Sequence, residues 1–413
     1  MPQLLPNPFN LIEVSLFSEV LGRSINLDVA STIIEISIFE NMFAESISGN
    51  IVILDRLNLV VNSPIVGNEK ISLKFVDAKG EKISLNFKLY SLNSYSIENL
   101  ASNSYTLNFT SEEYFSSANF TISRAYKNLT ISEIVSRVFR ELETDKKIEI
   151  EETDYLQDLI IPSWNPFKAL NWLAARAISA KYEGASFLFF ENFDGYKFKT
   201  IESYMDEKPS RIYKNVTVPY TEITDDYYPI RHLSVKDTFN IMVNQMSGMY
   251  SSRVITHDIV KRNSEIIDFD YEESFKKYKL LGKGSLSPKV VDNSLDYTDR
   301  PDGIINIIPK HFKLFSNEAQ GYNSQKEKTR QIRKSQFAQL NNLKIDIVID
   351  GDLKLRTGQI LNILTPDPQA SDEWDPYLSG NYLITAIRHI FSAKVHTTQL
   401  QLQRDSYTDK IGE

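Results

Sequence analysis

The sequence predicts a mainly β chain with α+β insertions, and three observations carry that expectation. Tyr (21) and Phe (23) are abundant and Ile, Val and Thr recur in short runs, residue types that suit a pleated, half-buried surface. Period-two alternation recurs near both ends of the chain. Clear helical periodicity is confined to two segments in the middle. With 413 residues, 42% hydrophobic and 24% charged, the chain has material for roughly two to four domains with sizeable cores.

Residues 9–17 and 30–40 read as strands, the second with Ile34, Ile36 and Ile38 alternating with Glu35, Ser37 and Phe39. Residues 49–55 form another strand. Ile71, Leu73 and Phe75 share a face, Asp77-Ala78-Lys79-Gly80 turns the chain, and Ile83, Leu85, Phe87 and Leu89 return it as a hairpin. Residues 104–110 add a strand, so the block 1–110 reads as a small β-barrel or sandwich.

The period then changes. Thr130-Ile131-Ser132-Glu133 is a capping box, followed by Ile134, Val135, Val138, Phe139 and Leu142 at helical spacing. A second helix starts at Asn165 (N-cap) and Pro166 (N1), with Phe167, Leu170, Ala174, Ala177 and Ile178 on one face and Gly184 as its end. Residues 186–190 and 196–201 pair as strands through Asn192-Phe193-Asp194-Gly195. Residues 111–205 are therefore expected to be an α+β domain.

Residues 206–340 mix polar stretches with weak strand patterns. The segment 317–340, with Lys326, Lys328, Arg330, Arg333 and Lys334, reads as a polar helix or an exposed arm. Alternation returns at Leu343, Ile345, Ile347 and Ile349, Asp350-Gly351-Asp352 turns the chain, and 359–364 is the next strand. Residues 382–391 and 397–403 close a final hairpin. The expected division is 1–110, 111–205, a second barrel split between 206–240 and 335–413, and an insertion at 241–334.

The formal net charge of −8 argues against a nucleic-acid grip, which needs a basic face. Without cysteine, disulfides, thiolate nucleophiles and Cys-based zinc sites are excluded. The N-terminus lacks a charged n-region and a long apolar core, so no signal peptide is expected. No apolar run approaches the length of a membrane span.

Chemistry is sparse. The five histidines, His232, His257, His311, His389 and His396, lack HExxH spacing. His389 and His396 face each other if Ser392-Ala393 is a two-residue loop, and a surface or interface pair is the reading preferred over a metal pair. Gly282-Lys283-Gly284-Ser285 is too short for a phosphate loop. Glu149, Glu151, Glu152 and Asp154 are the kind of cluster that 54 acidic residues always offer, and a solvated strand end is the preferred reading. The basic residues at 326–334 read as a helix face or a protein-binding patch before a nucleic-acid site. No catalytic, cofactor or metal residue is assigned.

Three segments carry a resemblance. Ser48-Gly49-Asn50-Ile51-Val52-Ile53-Leu54-Asp55 followed by Pro64-Ile65-Val66-Gly67-Asn68-Glu69 resembles the first barrel of the central baseplate hub proteins of contractile-tailed bacteriophages, the T4-type hub. Ile161-Pro162-Ser163-Trp164-Asn165-Pro166-Phe167, with Trp172, looks like the short helix of the hub's α+β domain. Leu355-Arg356-Thr357-Gly358-Gln359-Ile360, then Ser379-Gly380-Asn381-Tyr382 and His389, is similar to the last barrel of hubs and of type VI secretion spike proteins. Residues 206–340 are not covered.

The resemblance implies two tail-tube-type barrels per chain. It makes Gly49, Asp55, Pro64, Gly67, Glu69, Trp164, Pro166, Trp172, Gly358, Gly380, Tyr382 and His389 structural motif positions. It further implies a non-enzymatic virion protein of the tail baseplate, assembled in the host cytoplasm without stable membrane contact. Three copies would form a pseudo-hexameric ring between the hexameric tail tube and the trimeric central spike, touching other baseplate and tape-measure proteins while DNA only passes through. In the secretion family a needle follows in the same chain; here it would be a separate protein. The alternatives are another tail or injection-system component with this barrel, a tail-borne cell-wall hydrolase, or a carbohydrate-binding receptor protein.

Overall fold

The computed structural model describes residues 10–19, 22–27, 32–56, 59–62, 65–76, 82–99, 102–215, 227–258, 262–285, 304–310, 326–367, 374–392 and 395–408. The first β unit contains β1 (Asn10–Ser18), β2 (Arg23–Leu27), β3 (Ile33–Asn41), β4 (Ser48–Asp55), a short helix α1 (Leu59–Asn62), β5 (Lys70–Val76), β6 (Lys82–Asn99) and β7 (Ser102–Thr110). These strands run in the order β2-β1-β5-β6-β7-β4-β3, every neighbour antiparallel. The 70–89 hairpin has the expected register, with Ile71 opposite Phe87, Leu73 opposite Leu85 and Phe75 opposite Ile83. Its Asp77–Gly80 turn lies outside the described residues. The alternating side chains fill one core with Val14, Leu16, Ile36, Ile38, Ile51 and Phe109.

Two expectations need correction in this unit. Ile34 does not share the face of Ile36 and Ile38. A bulge between Ile33 and Glu35 shifts the register and turns Ile34 outward. The strand expected to end near Leu89 continues to Asn99, and its extension exposes Tyr90, Tyr95 and Ile97.

The middle of the chain contains α2 (Glu112–Asn119), β8 (Ile122–Leu129), α3 (Ile131–Arg140), β9 (Ile148–Ile150), β10 (Gln157–Trp164), α4 (Pro166–Ala174), β11 (Leu188–Asn192), β12 (Gly195–Lys199) and α5 (Ile201–Met205). The capping box of α3 forms as read: Glu133 N donates to Thr130 Oγ1 at 3.3 Å and Thr130 N to Glu133 Oε2 at 2.8 Å. Its apolar stripe packs against α4, whose N-cap Asn165 Oδ1 accepts from Lys168 N at 2.9 Å. Helix α4 ends at Ala174, short of the expected Gly184. Ala177 and Ile178 are buried from irregular backbone beyond its C-cap. Strand β8 was not foreseen because only Ile122 and Tyr126 are clearly buried, four residues apart, which is no strand period.

The rest comprises β13 (Arg211–Lys214), β14 (Tyr228–Pro229), β15 (His232–Asp237), α6 (Ile241–Ser247), β16 (Ser251–Asp258), β17 (Asn263–Asp270), α7 (Tyr271–Lys277), β18 (Ile305–Lys310), α8 (Lys326–Leu340), β19 (Leu343–Asp350), β20 (Ile360–Leu364), β21 (Gly380–Ser392) and β22 (Val395–Arg404). Strands β13, β20, β21, β22 and β19 are paired in that order. The continuous segment 228–237 then pairs with β13 through β14 and with β19 through β15, and its central residues bridge the two. Ile230 N donates to Lys214 O and Arg231 N to Val348 O, both at 2.9 Å. Among the described residues, backbone hydrogen bonds thus link the strands of this second unit all the way round. Tyr213, Ile345, Ile347, Leu361, Ile363, Leu400 and Leu402 fill it.

Strand β21 has a second partner. It pairs with β3 from Ala386–Asn41 to Ser392–Glu35, so both units belong to one 14-stranded sheet. Inserted within the second unit, between β15 and β19 in sequence, β16, β17 and β18 form a separate sheet backed by α8. Helix α8 is helical and mostly buried, not an exposed arm. Its burial is achieved through polar contacts. Gln331 Nε2 donates to Ser252 O at 2.8 Å, Ser335 Oγ to Met249 O at 2.8 Å, and Arg333 Nη1 to Phe187 O at 2.6 Å.

Candidate functional site

The motif positions fall into three groups that do not converge on one site. In the first unit, Gly49 sits in β4 where an added Cβ would lie 2.3 Å from the Phe109 ring and 2.5 Å from the Ser37 carbonyl oxygen. Asp55 ends that strand, buried, accepting from Leu59 N at 2.7 Å and Tyr105 OH at 3.3 Å. The Glu69 carboxylate accepts from Val66 N (2.8 Å), Gly67 N (2.9 Å) and Asn68 N (3.1 Å), so the loop wraps around its own acid. Pro64 lies outside the described residues.

In the second group Pro166 is the buried first residue of α4. Trp164 and Trp172 pack edge to face at 5.3 Å, with Lys168 over the first ring and Arg176 over the second. In the third, Gly358 adopts φ +94°, and a Cβ there would meet the Tyr204 ring at 2.7 Å. Gly380 opens β21, and the buried Tyr382 OH donates to Leu378 O at 2.8 Å.

His389 belongs to a junction the sequence only partly revealed. On the inner face of the β3–β21 seam it lies opposite Ile38, with Glu40 one diagonal step away. Its Nδ1 is 3.2 Å from His396 Nε2, and Phe193 stacks on its ring. The two histidines are diagonal, not opposite, since His396 faces Phe391 and His389 faces Thr398, and both are buried in the seam, so they are not a surface pair. Burial holds both imidazoles down, His396 to about 3 and His389 well below its usual range. Burial pushes Glu40 up to about 8 despite the nearby Arg356 guanidinium, which itself pairs with Asp194 at 2.9 Å. All these groups are neutral or paired near pH 7, which suits a packed seam. On the outer face Arg388 pairs with Glu35 at 3.0 Å.

A second buried knot ties the first unit to the α+β part. Glu191 accepts from Ile47 N (2.9 Å), Ser111 Oγ (2.5 Å) and Lys146 Nζ (2.5 Å), and Lys146 also reaches Glu113 at 2.7 Å. Burial raises the Glu191 carboxyl; for Lys146, burial pulls down but the two carboxylates outweigh it and hold the ammonium up. No local pattern marked Glu191, because its partners lie 45 to 144 residues away.

The remaining candidates are spent on structure. Lys197 and Lys199 hold Glu149, and Glu151 accepts from Ser179 and Thr200. Gly282, Lys283 and Gly284 donate their N–H groups to Ser406, Thr408 and Tyr407, leaving none of the three for a phosphate. His257 bonds Ser264, His232 lies in β15, and His311 is outside the described residues. Arg330 and Lys334 point outward from α8, whereas the side chains of Lys326 and Lys328 lie outside the described residues. Among the described residues no three His, Cys, Asp or Glu side chains group as metal ligands.

Two β units sharing one sheet, with an α+β part between them and an insertion inside the second, is the fold of phage tail proteins. The 43 kDa tail protein of prophage MuSo2 from Shewanella oneidensis superposes with a TM-score of 0.57 and 11% identity, over 96% of this chain and 99% of that one. The tail protein from Neisseria meningitidis MC58 gives 0.54 and 10%, over 96% and 97%. No protein-family model matches the chain. In sequence the chain is similar, at 19% identity over 97% of its own length and 96% of the relative's, to the "Probable baseplate hub protein gp334" of Vibrio phage KVP40. The resemblance to baseplate hub proteins therefore runs the length of the chain, including residues 206–340.

Proposed function

We propose that this chain is a structural baseplate hub of a phage-type tail. The observation that carries the reading is the β3–β21 seam, which sets two β units side by side in one sheet. Three such chains would present six β units to a sixfold tail tube and threefold symmetry to a central spike, an adaptor that needs complementary surfaces and no catalysis. The division at 110, 205, 240 and 335 fits this plan, with the motif residues holding each unit in shape. The partners are two further copies, the tube above, the spike below, and other baseplate and tape-measure proteins. The place is the virion tail baseplate, after assembly in the host cytoplasm.

Exposed apolar side chains support contacts with other subunits. Met242, Val243 and Met246 on α6 are 72%, 56% and 76% exposed, beside an exposed Phe239. The net charge of −8 suits a lumen that does not retain DNA. Light scattering on the purified chain, alone and with spike and tube proteins, tests the reading. A trimer, alone or on adding the spike, supports it. A monomer under every condition, with activity on cell-wall glycan, overturns it. A lumen mapped as basic defeats the charge argument.

A further inference from the structure

Helices α5, α7 and α8 and the segment after β22 meet at a small cleft lined by Glu202, Asp405, Gln336, Ser274, Tyr278 and Lys279. It has room for about one water or one ion. Glu202 and Asp405 are each only 2% exposed. Glu202 accepts from Ser186 Oγ and Gln336 Nε2, and Asp405 from Leu281 N (3.1 Å) and Ser406 Oγ (2.8 Å). These donors are neutral. The nearby cations are engaged elsewhere: Lys279 Nζ pairs with Asp206 at 3.2 Å, Arg333 serves the carbonyls of Ala174, Ala185 and Phe187, and Arg404, next to Asp405, donates to the carbonyls of Ser379 and Tyr377. Glu202 and Asp405 are thus two buried acids whose hydrogen-bond donors carry no charge.

A second observation points at a ligand. Gln336 Oε1 and Ser274 Oγ are buried without a hydrogen-bond partner, on cleft residues that are 9% and 7% exposed. Orphaned buried oxygens are uncommon and call for an occupant. Carboxylates, an amide oxygen and a hydroxyl, with no nitrogen or sulfur, form a hard donor set.

We propose that this cleft binds a hard divalent cation, Ca²⁺ in preference to Mg²⁺, with Glu202 and Asp405 supplying charge and Gln336 Oε1 and Ser274 Oγ supplying neutral ligands. Ca²⁺ accepts irregular sets of carboxylate, carbonyl and hydroxyl oxygens, whereas Mg²⁺ demands a near-ideal octahedron. Only two carboxylates contribute, so the affinity falls in the weak range, with Kd on the order of 10⁻⁴–10⁻³ M. The ion would tie the α+β part, the insertion and the last barrel strand together at one point.

The test is thermal unfolding of the full chain in chelator-treated buffer, with Ca²⁺ or Mg²⁺ added, alongside Tb³⁺ luminescence sensitised by Tyr278. Saturating Ca²⁺ raises Tm by roughly 3–5 °C and displaces Tb³⁺, and Mg²⁺ does less. Asp405→Asn removes the response. Ser274→Ala, which deletes only an unpartnered hydroxyl, folds normally in chelator and shows a reduced Ca²⁺ shift, so the idea stays testable if Asp405→Asn fails to fold. No Ca²⁺ shift and no Tb³⁺ signal would mean that water or a proton fills the cleft and would overturn the proposal. An undiminished shift in both variants would place the ion elsewhere and overturn it equally.

Discussion

Gly49→Ala is the sharpest perturbation of the first β unit. The new Cβ would sit 2.3 and 2.5 Å from two atoms of the Phe109 ring and 2.5 Å from the Ser37 carbonyl oxygen, where ordinary contact begins near 3.4 Å. An overlap of about 1 Å must be relieved. Phe109 is fully buried and packs on Phe87 at 4.7 Å, so its ring has no free space to enter. Ser37 O belongs to β3, which is held on one side by β4 and on the other by β21. Overpacking of this kind costs about 1–3 kcal/mol, and the double clash puts Gly49→Ala at the upper end. At roughly 2–4 °C per kcal/mol for large domains, calorimetry should show Tm lowered by about 4–10 °C. Phe109→Leu in the same chain removes the ring clash but not the carbonyl clash, so the double variant should recover only part of the sum, with a coupling of about 0.5–3 kcal/mol. A Gly49→Ala protein melting within 1 °C of the parent, or purely additive variants, would refute the close-approach argument.

The acid limb of stability should report the seam. His389 and His396 are held neutral in the fold, so the unfolded chain binds more protons once pH falls below about 6.5. Their contribution is fully present above that pH and is lost toward about 3, at up to roughly 1.4 kcal/mol per pH unit for each imidazole. The groups facing the pair are Glu40, Arg356, Thr398 and the rings of Phe193 and Phe391. Glu40, raised to about 8, acts oppositely and weakens the fold as pH climbs from about 4.5 toward 8. Denaturant titrations of His396→Gln should give a shallower acid limb; an unchanged limb would remove the pair from the account. Lys146→Met leaves Glu191 and Glu113 without their cation and should cost roughly 2–3 kcal/mol, below the figure for a fully buried pair because Lys146 stays about a third exposed. Met242→Glu combined with Met246→Glu should leave Tm within about 1 °C while abolishing association seen by light scattering, since both side chains are exposed; association that survives would remove α6 from the subunit contacts.

Parts of the site were legible and parts were not. The Glu69 loop, the α3 capping box and the Asn165-Pro166 helix start are made by residues within three positions of one another, so their chemistry shows in the local string. The proximity of His389 and His396 was legible from the hairpin, but their diagonal offset follows from the strand register. Glu191, Glu40 and the cleft around Glu202 left no local mark. Their partners come from distant elements, and an isolated Glu in a strand reads as a solvated side chain.

The sequence by itself determined the β-rich class, the register of the 70–89 hairpin, and the resemblance to tail hubs, because alternation and caps act between near neighbours. The tertiary structure decided how β14 and β15 close the second ring and how β21 serves both units. It also decided that the polar α8 is buried rather than free. The physical reason is the same in each case. Backbone and polar side-chain groups must be satisfied wherever the fold buries them, and which distant group satisfies them is set only when the chain has come together.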